Sequence, residues 1–163
     1  MWPHPIARHP MTEDPTLQHL KHLPPDLALL RTEATADGFR FLDRLVTEWD
    51  AGSNRFDARG ERLIGVFLGD RLVAIGGLNV DPYATEAGTA RLRHVYVLKA
   101  ERRRGFGRML VRRLLEDARE AGFSEVRLLT DTVAGARFYE SLGFSSLRSP
   151  HGTHVMALGR VSA

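Results

Sequence analysis

Apolar positions along the chain fall into two spacings. From Asp37 to Trp49 they sit at Phe39, Leu42, Leu45, Val46 and Trp49. This is the three-to-four spacing of one helix face, with Thr35 or Asp37 placed to cap it. Phe106, Met109, Leu110, Leu114, Leu115 and Ala118 share a face over 105–121, and Gly122 stops that helix. Asp131 precedes a shorter helical stretch over 133–142, which Gly143 ends. Runs at 27–34 ("LALLRTEA"), 63–68, 71–80, 90–98 and 125–130 predict strands. Gly69-Asp70 joins the second and third of these as a tight hairpin. A last hairpin is expected from 144–148 and 153–158, turning at Ser149-Pro150-His151-Gly152. Residues 50–61 and 81–89 read as loops. Residues 1–25, rich in Pro and His and without periodicity, read as a flexible extension. Residues 26–163 then form one domain.

Composition narrows the options. A chain of 163 residues suits one domain with a core of its own. No apolar run approaches bilayer length, and "MWPHPIARHP" lacks the apolar stretch of a secretory signal. No membrane partner and a cytoplasmic location are therefore expected. The absence of cysteine excludes disulfides, thiolate catalysis and thiolate-bound zinc. The histidines show no paired spacing with a carboxylate that makes a metal site convincing, so none is expected.

Charge points to one place. The net charge is only +3, but arginines crowd 102–113. A local cluster on a nearly balanced chain suggests a local anionic ligand. It lies in "VYVLKAERRRGFGR" (95–108), where a strand gives way to a helix. Helix N-termini expose unpaired N–H groups and the positive end of the macrodipole. Gly105 and Gly107 leave that backbone approachable. The expected guest is a phosphate or pyrophosphate, with arginine forks around it. The loop is not a P-loop, because Gly-Lys-Ser/Thr is absent. It is not the dinucleotide fingerprint either, because Leu110 holds the third glycine position.

Arg102-x-x-Gly105-x-Gly107, after a strand and opening an amphipathic helix, resembles the acyl-CoA loop of the GNAT superfamily of N-acetyltransferases. "ARFYESLGF" (136–144) resembles that family's next signature. The order of elements over 27–158 is similar as well. The resemblance implies an α/β (α+β) fold: a central mixed, mostly antiparallel sheet flanked by helices and splayed at its central strands. It implies acetyl-CoA as cosubstrate, CoA as product, and a small-molecule or peptide amine as acceptor. A homodimer is possible on this reading. Val95, Tyr96 and Val97 match the strand whose backbone pairs with pantetheine, a form of strand addition. Arg102, Arg103, Arg104, Gly105, Phe106, Gly107 and Arg108 match the pyrophosphate cradle, with the Phe106 side chain assigned to the core. Arg112 and Arg113 are assigned to pairs with Glu116 and Asp117 at i+4. Tyr139 matches the tyrosine placed near the CoA sulfur, where a phenol can protonate a departing thiolate.

Some positions depart from the family pattern. Thr132 stands where many relatives have Asn, and its hydroxyl is a candidate pantetheine contact, with Asp131 as competitor or helix cap. No carboxylate occupies the strand before the loop, so the general base is open among His94, Glu33, Asp81, Glu86 and a water chain. His94 has a suitable pKa class, but strand alternation points it the wrong way. Trp49, Asn54, Phe56, Asp57, Asp81 and Tyr83 are expected around the acceptor. The alternative is a non-catalytic module, either a CoA sensor or a nucleic-acid binder. Nucleic acid is not expected, because aromatics are not interleaved with the arginines.

Overall fold

The computed structural model describes residues 13–159. Seven strands form one sheet in the order β1-β2-β3-β4-β5-β7-β6. They are β1 (Thr16–His19), β2 (Arg62–Leu68), β3 (Arg71–Val80), β4 (Thr89–Val97), β5 (Glu125–Leu128), β6 (Ser145–Ser149) and β7 (Gly152–Ala157). Only β4 and β5 run parallel. Helices α1 (Leu27–Ala36) and α2 (Phe41–Ala51) cover one face, and α3 (Phe106–Glu120) covers the other. α4 (Val133–Ser141) connects β5 to β6. This is the mixed, mostly antiparallel sheet flanked by helices that the sequence resemblance implies.

Two early expectations fail. The run at 27–34 is a helix, not a strand. Its Leu27, Leu30 and Ala34 are buried at helical spacing, and Leu, Ala, Arg and Glu are strong helix formers. Asp37 therefore ends α1 instead of capping α2, which starts after Arg40 without a side-chain cap. The flexible extension is also too long. Residues 16–19 pair antiparallel with β2, with Thr16 opposite Phe67. Residues 1–12 of that extension lie outside the described residues.

The β2–β3 hairpin forms as expected, with Gly69 at φ 58. Gly is the residue that occupies such a φ at the first turn position without strain.

The core has two parts because the sheet has two covered faces. Under α3 lie Ile64, Val66, Val73, Leu78, Leu92, Leu110, Leu114 and Val126. Under α1 and α2 lie Leu30, Leu42, Leu45, Leu63, Leu72, Ile75 and Tyr96.

Two irregularities in β4 position everything that follows. First, β4 pairs with β5 only at Thr89–Glu125, Ala90–Val126 and Arg91–Arg127, yet runs on to Val97. Beyond Arg91 the central strands part. Second, Tyr96 faces Ile75 while Arg93 faces Gly77, so His94 and Val95 together oppose Gly76. This is a β-bulge, and His94 takes φ 61 in it. Ala90 and Leu92 bury on the α3 face before the bulge, and Tyr96 buries on the opposite face after it. The extra residue reverses the alternation, so Arg91, Arg93, His94 and Tyr96 all point to the α1–α2 side.

Candidate active site

The open edge of β4 leads into the arginine–glycine loop. Leu98 N–H donates to Val73 O at 2.9 Å, so Leu98 turns its backbone toward β3. Antiparallel ladders alternate, which turns the Val97 backbone outward to the gap and that of Tyr96 inward to β3. Of the three strand residues expected to pair with a ligand, Val97 thus offers its main chain and Tyr96 does not. Val95 sits in the bulge with its side chain on the α3 face.

The Val97 carbonyl has an internal partner. Arg102 Nε donates to it at 3.0 Å, and the guanidinium lies 5.3 Å from the centre of the Tyr96 ring. Tyr96 is buried, and its hydroxyl donates to Glu33 Oε1 at 2.9 Å. Burial, then the Glu33 bond, pushes the Tyr96 phenol above its usual range. The same Glu33 oxygen accepts from Lys99 N–H at 2.7 Å. Glu33 is thus committed to holding α1 against the end of β4.

The loop then closes onto α3. Arg103 has φ 66 and Gly105 has φ 82. Gly105 is the N-cap of α3 and offers no side-chain acceptor, and the helix ladder begins with Met109 N–H to Gly105 O at 3.0 Å. The N–H groups of 106–108 consequently have no partner inside the helix. A side chain at Gly105 would meet nothing within 4 Å, so this glycine serves φ and open access. Gly107 differs: a Cβ there would come within 3.3 Å of Phe138 and 3.4 Å of Val97. It lets α4 lie close to the start of α3.

The loop arginines separate into distinct roles. Arg104 pairs with Glu101 and lies 4.9 Å from the Phe106 ring, which is buried as expected. Arg108 donates to Ser141 Oγ at 3.2 Å, tying α3 to α4. Arg113 pairs with Asp117 at 3.4 Å, as expected. Arg112 forms no corresponding pair with Glu116 among the described residues. It lines a groove of about 350 Å³ with Leu17, Gly105, Arg108 and Met109.

On α4, Tyr139 packs edge-on against Phe138 at 5.0 Å and Phe144 at 5.6 Å. Burial raises its phenol well above the ordinary value, so it stays protonated at neutral pH. Thr132, not Asp131, caps α4, with its Oγ1 accepting from Gly135 N–H at 3.0 Å.

The α1–α2 side of the gap holds the acceptor-side candidates. His94 faces this side, because the bulge overrides alternation. It is buried between Phe41 and Phe56, and neither ring nitrogen has a hydrogen-bond partner. Burial, then nearby Arg93, holds its pKa at about 3, so the ring is neutral in ordinary buffers. Asp81 is buried and accepts from Tyr83 N–H at 2.8 Å. Asn54 and Asn79 exchange side-chain bonds at 3.0 Å, and Glu61 joins them at 2.9 Å. These groups build the wall. Sequence reading missed Glu48, whose Oε2 lies 3.7 Å from Arg93, because the meeting of α2 with β4 is visible only in three dimensions.

A family model described as the acetyltransferase (GNAT) family matches residues 27–144. The chain belongs to the acetyltransferase (GNAT) family. Human N-acetyltransferase 8 is 38% identical over 72 residues, which cover 43% of this GNAT chain and 32% of the human protein. The match thus spans about a third of that relative's length. Among solved structures, a protein described as a candidate acetyltransferase from Exiguobacterium sp. 255-15 superposes with TM-score 0.77 at 24% identity. The alignment covers 88% of this chain and 93% of that one. A GNAT family acetyltransferase from Brucella melitensis, solved with acetyl-CoA, gives TM-score 0.66 at 20% identity, covering 93% of each chain. These two likenesses show the overall fold.

Proposed function

We propose that the protein transfers an acetyl group from acetyl-CoA to a primary amine, with both substrates bound together. The observation that carries this reading is the continuous path from the Val97 backbone to the unpartnered N–H groups that open α3. Such an edge accepts an extended amide chain, and such a helix start accepts a pyrophosphate. The chemistry of the donors fits the group. Acetyl-CoA supplies the activated acyl carbon.

The residues divide the work. Val97 main-chain groups hold the pantetheine amides, and the Val97 carbonyl, which accepts from Arg102, keeps a second lone pair for that pairing. The amides of 103–108 hold the diphosphate. A free strand N–H at the gap stabilises charge on the thioester oxygen as the amine attacks. Tyr139 donates its proton to the departing sulfur, and water passes the proton shed by the attacking nitrogen back to the phenolate. The acceptor must arrive as a neutral amine, and no histidine or carboxylate is assigned as its base. His94 is excluded from that role near neutral pH by its burial and low basicity.

Family membership and the Brucella melitensis complex with acetyl-CoA support the cosubstrate. No described helix is long and apolar enough to cross a membrane. The test combines calorimetry with thiol release. Wild-type protein is expected to bind CoA and to release thiol from acetyl-CoA when offered a panel of amines. Gly105→Val, checked for folding by circular dichroism, is expected to lose CoA affinity. Unchanged affinity in a folded variant places the cofactor site elsewhere. Binding without turnover on any amine favours a CoA sensor.

A further inference from the structure

Three arginines sit together on the acceptor side of the gap. Arg91 and Arg93 point there from β4, and Arg127 on β5 is the register partner of Arg91. Two of the three are neutralised. Arg93 lies 3.7 Å from Glu48, and Arg127 lies 2.8 Å from Glu125. Arg91 has no carboxylate within ion-pair distance among the described residues.

Arg91 is nevertheless held firmly. Its Nη1 donates to the His151 carbonyl at 2.6 Å, and its guanidinium lies 5.1 Å from the Tyr83 ring centre. Tyr83 stacks in turn on His151 at 3.8 Å, with the planes 8° apart. The 81–89 loop and the β6–β7 turn therefore meet over this arginine, at the point where β4 and β5 separate. Burial works against its charge, and Asp81 beyond ion-pair range favours it. Asp81 itself is engaged with Tyr83 N–H.

An arginine cannot discharge itself by losing its proton at any ordinary pH. A partly desolvated charge without a counter-ion is costly, so the position calls for an anion. The remaining donors form the planar fork that suits a carboxylate. Tyr83, half exposed, supplies a flat apolar wall beside it.

We propose that Arg91 binds a carboxylate of the acceptor, so the substrate is an amine that also carries a carboxylate, of amino-acid or short-peptide size. This rests on the acetyl-transfer reading of the same site. Arg91 stands at the last β4–β5 pair, so a carboxylate held on it lies at the head of the gap whose β4 wall runs on to Val97.

The test uses the full chain, acetyl-CoA and matched acceptors: L-phenylalanine against phenethylamine, L-lysine against cadaverine, and each amino acid against its amide. Thiol release gives kcat/KM for each. The carboxylated member of a pair is expected to win by about 10- to 100-fold, the scale of one charge-assisted contact. Arg91→Gln is expected to erase that preference through the acceptor KM, with the acetyl-CoA KM unchanged, and Arg91→Lys to restore part of it. Equal or better turnover of the decarboxylated or amidated members overturns the inference and leaves acetyl transfer standing. So does a folded Arg91→Gln protein that lowers both members of a pair equally, since Arg91 is then a clamp for two loops. No turnover with any amine, while calorimetry shows acetyl-CoA bound, overturns acetyl transfer and this inference with it.

Discussion

Tyr139, half-buried, and His94, buried, are both neutral near pH 7, for opposite reasons. Desolvation keeps the proton on the phenol and keeps it off the imidazole. For the role proposed for Tyr139 the neutral form is the useful one, since it can donate. Tyr139→Phe preserves the ring between Phe138 and Phe144 and deletes only the hydroxyl. Turnover is expected to fall by about 10²–10⁴ while CoA affinity by calorimetry holds. Wild-type turnover, measured where chemistry limits the rate, would remove Tyr139 from the mechanism. For His94 the consequence is stability. Its folded pKa of about 3 lies below the ordinary 6.5, so the unfolded chain takes up the proton first as pH falls. Stability is complete above pH 6.5 and declines through the window down to about 3. At pH 5 the loss from this group is about 2 kcal/mol. His94→Asn removes the titration and tolerates the positive φ. Urea unfolding at pH 7 and pH 5 is expected to show a smaller acid loss in the variant by about that amount. An equal loss in both proteins would assign the acid sensitivity to other groups.

At the level of elements, α1 and β1 show what local pattern conveys and what it does not. Long periodic segments such as α3 are readable because many residues repeat one message. "LALLRTEA" is short, and its leading apolar run imitates a strand until the buried Leu27, Leu30 and Ala34 are seen as one helix face. β1 carries no apolar alternation, because it lies at a sheet edge and only Leu17 packs inward. Its partner supplies the evidence for it. The arginine–glycine loop was readable because spaced glycines act through the backbone of their own segment. The acceptor side was not, because the bulge at His94 and Val95 inverts which β4 side chains face it. A strand read by strict alternation assigns Arg91 to one face and His94 to the other. The β1 pairing also bears on shortened chains. A protein starting at Pro24 loses the partner of β2 and the Leu17 wall of the α3 groove. It is expected to melt at lower temperature and to self-associate through the bared β2 edge. Equal melting temperature and monodispersity by light scattering would show that β1 is expendable.

For the molecule as a whole, the junction between β4 and β5 is narrow. Three residue pairs join two portions of the sheet that are each contiguous in sequence, β1 to β4 over 16–97 and β5 to β7 over 125–157. The second portion is the lighter one, since α4 has no fully buried residue while α3 has seven. Two cooperative units of unequal resistance to opening are therefore expected. Amide hydrogen exchange is expected to run faster in β5, β6 and β7 than in β2, β3 and β4. A molecule bound between β4 and α4 touches both units, so CoA is expected to slow exchange most in the weaker one, out to strands it never contacts. Uniform protection across both portions with CoA absent would show a single unit. Where the two do differ, the gap proposed for the cosubstrate is also the seam along which the protein breathes.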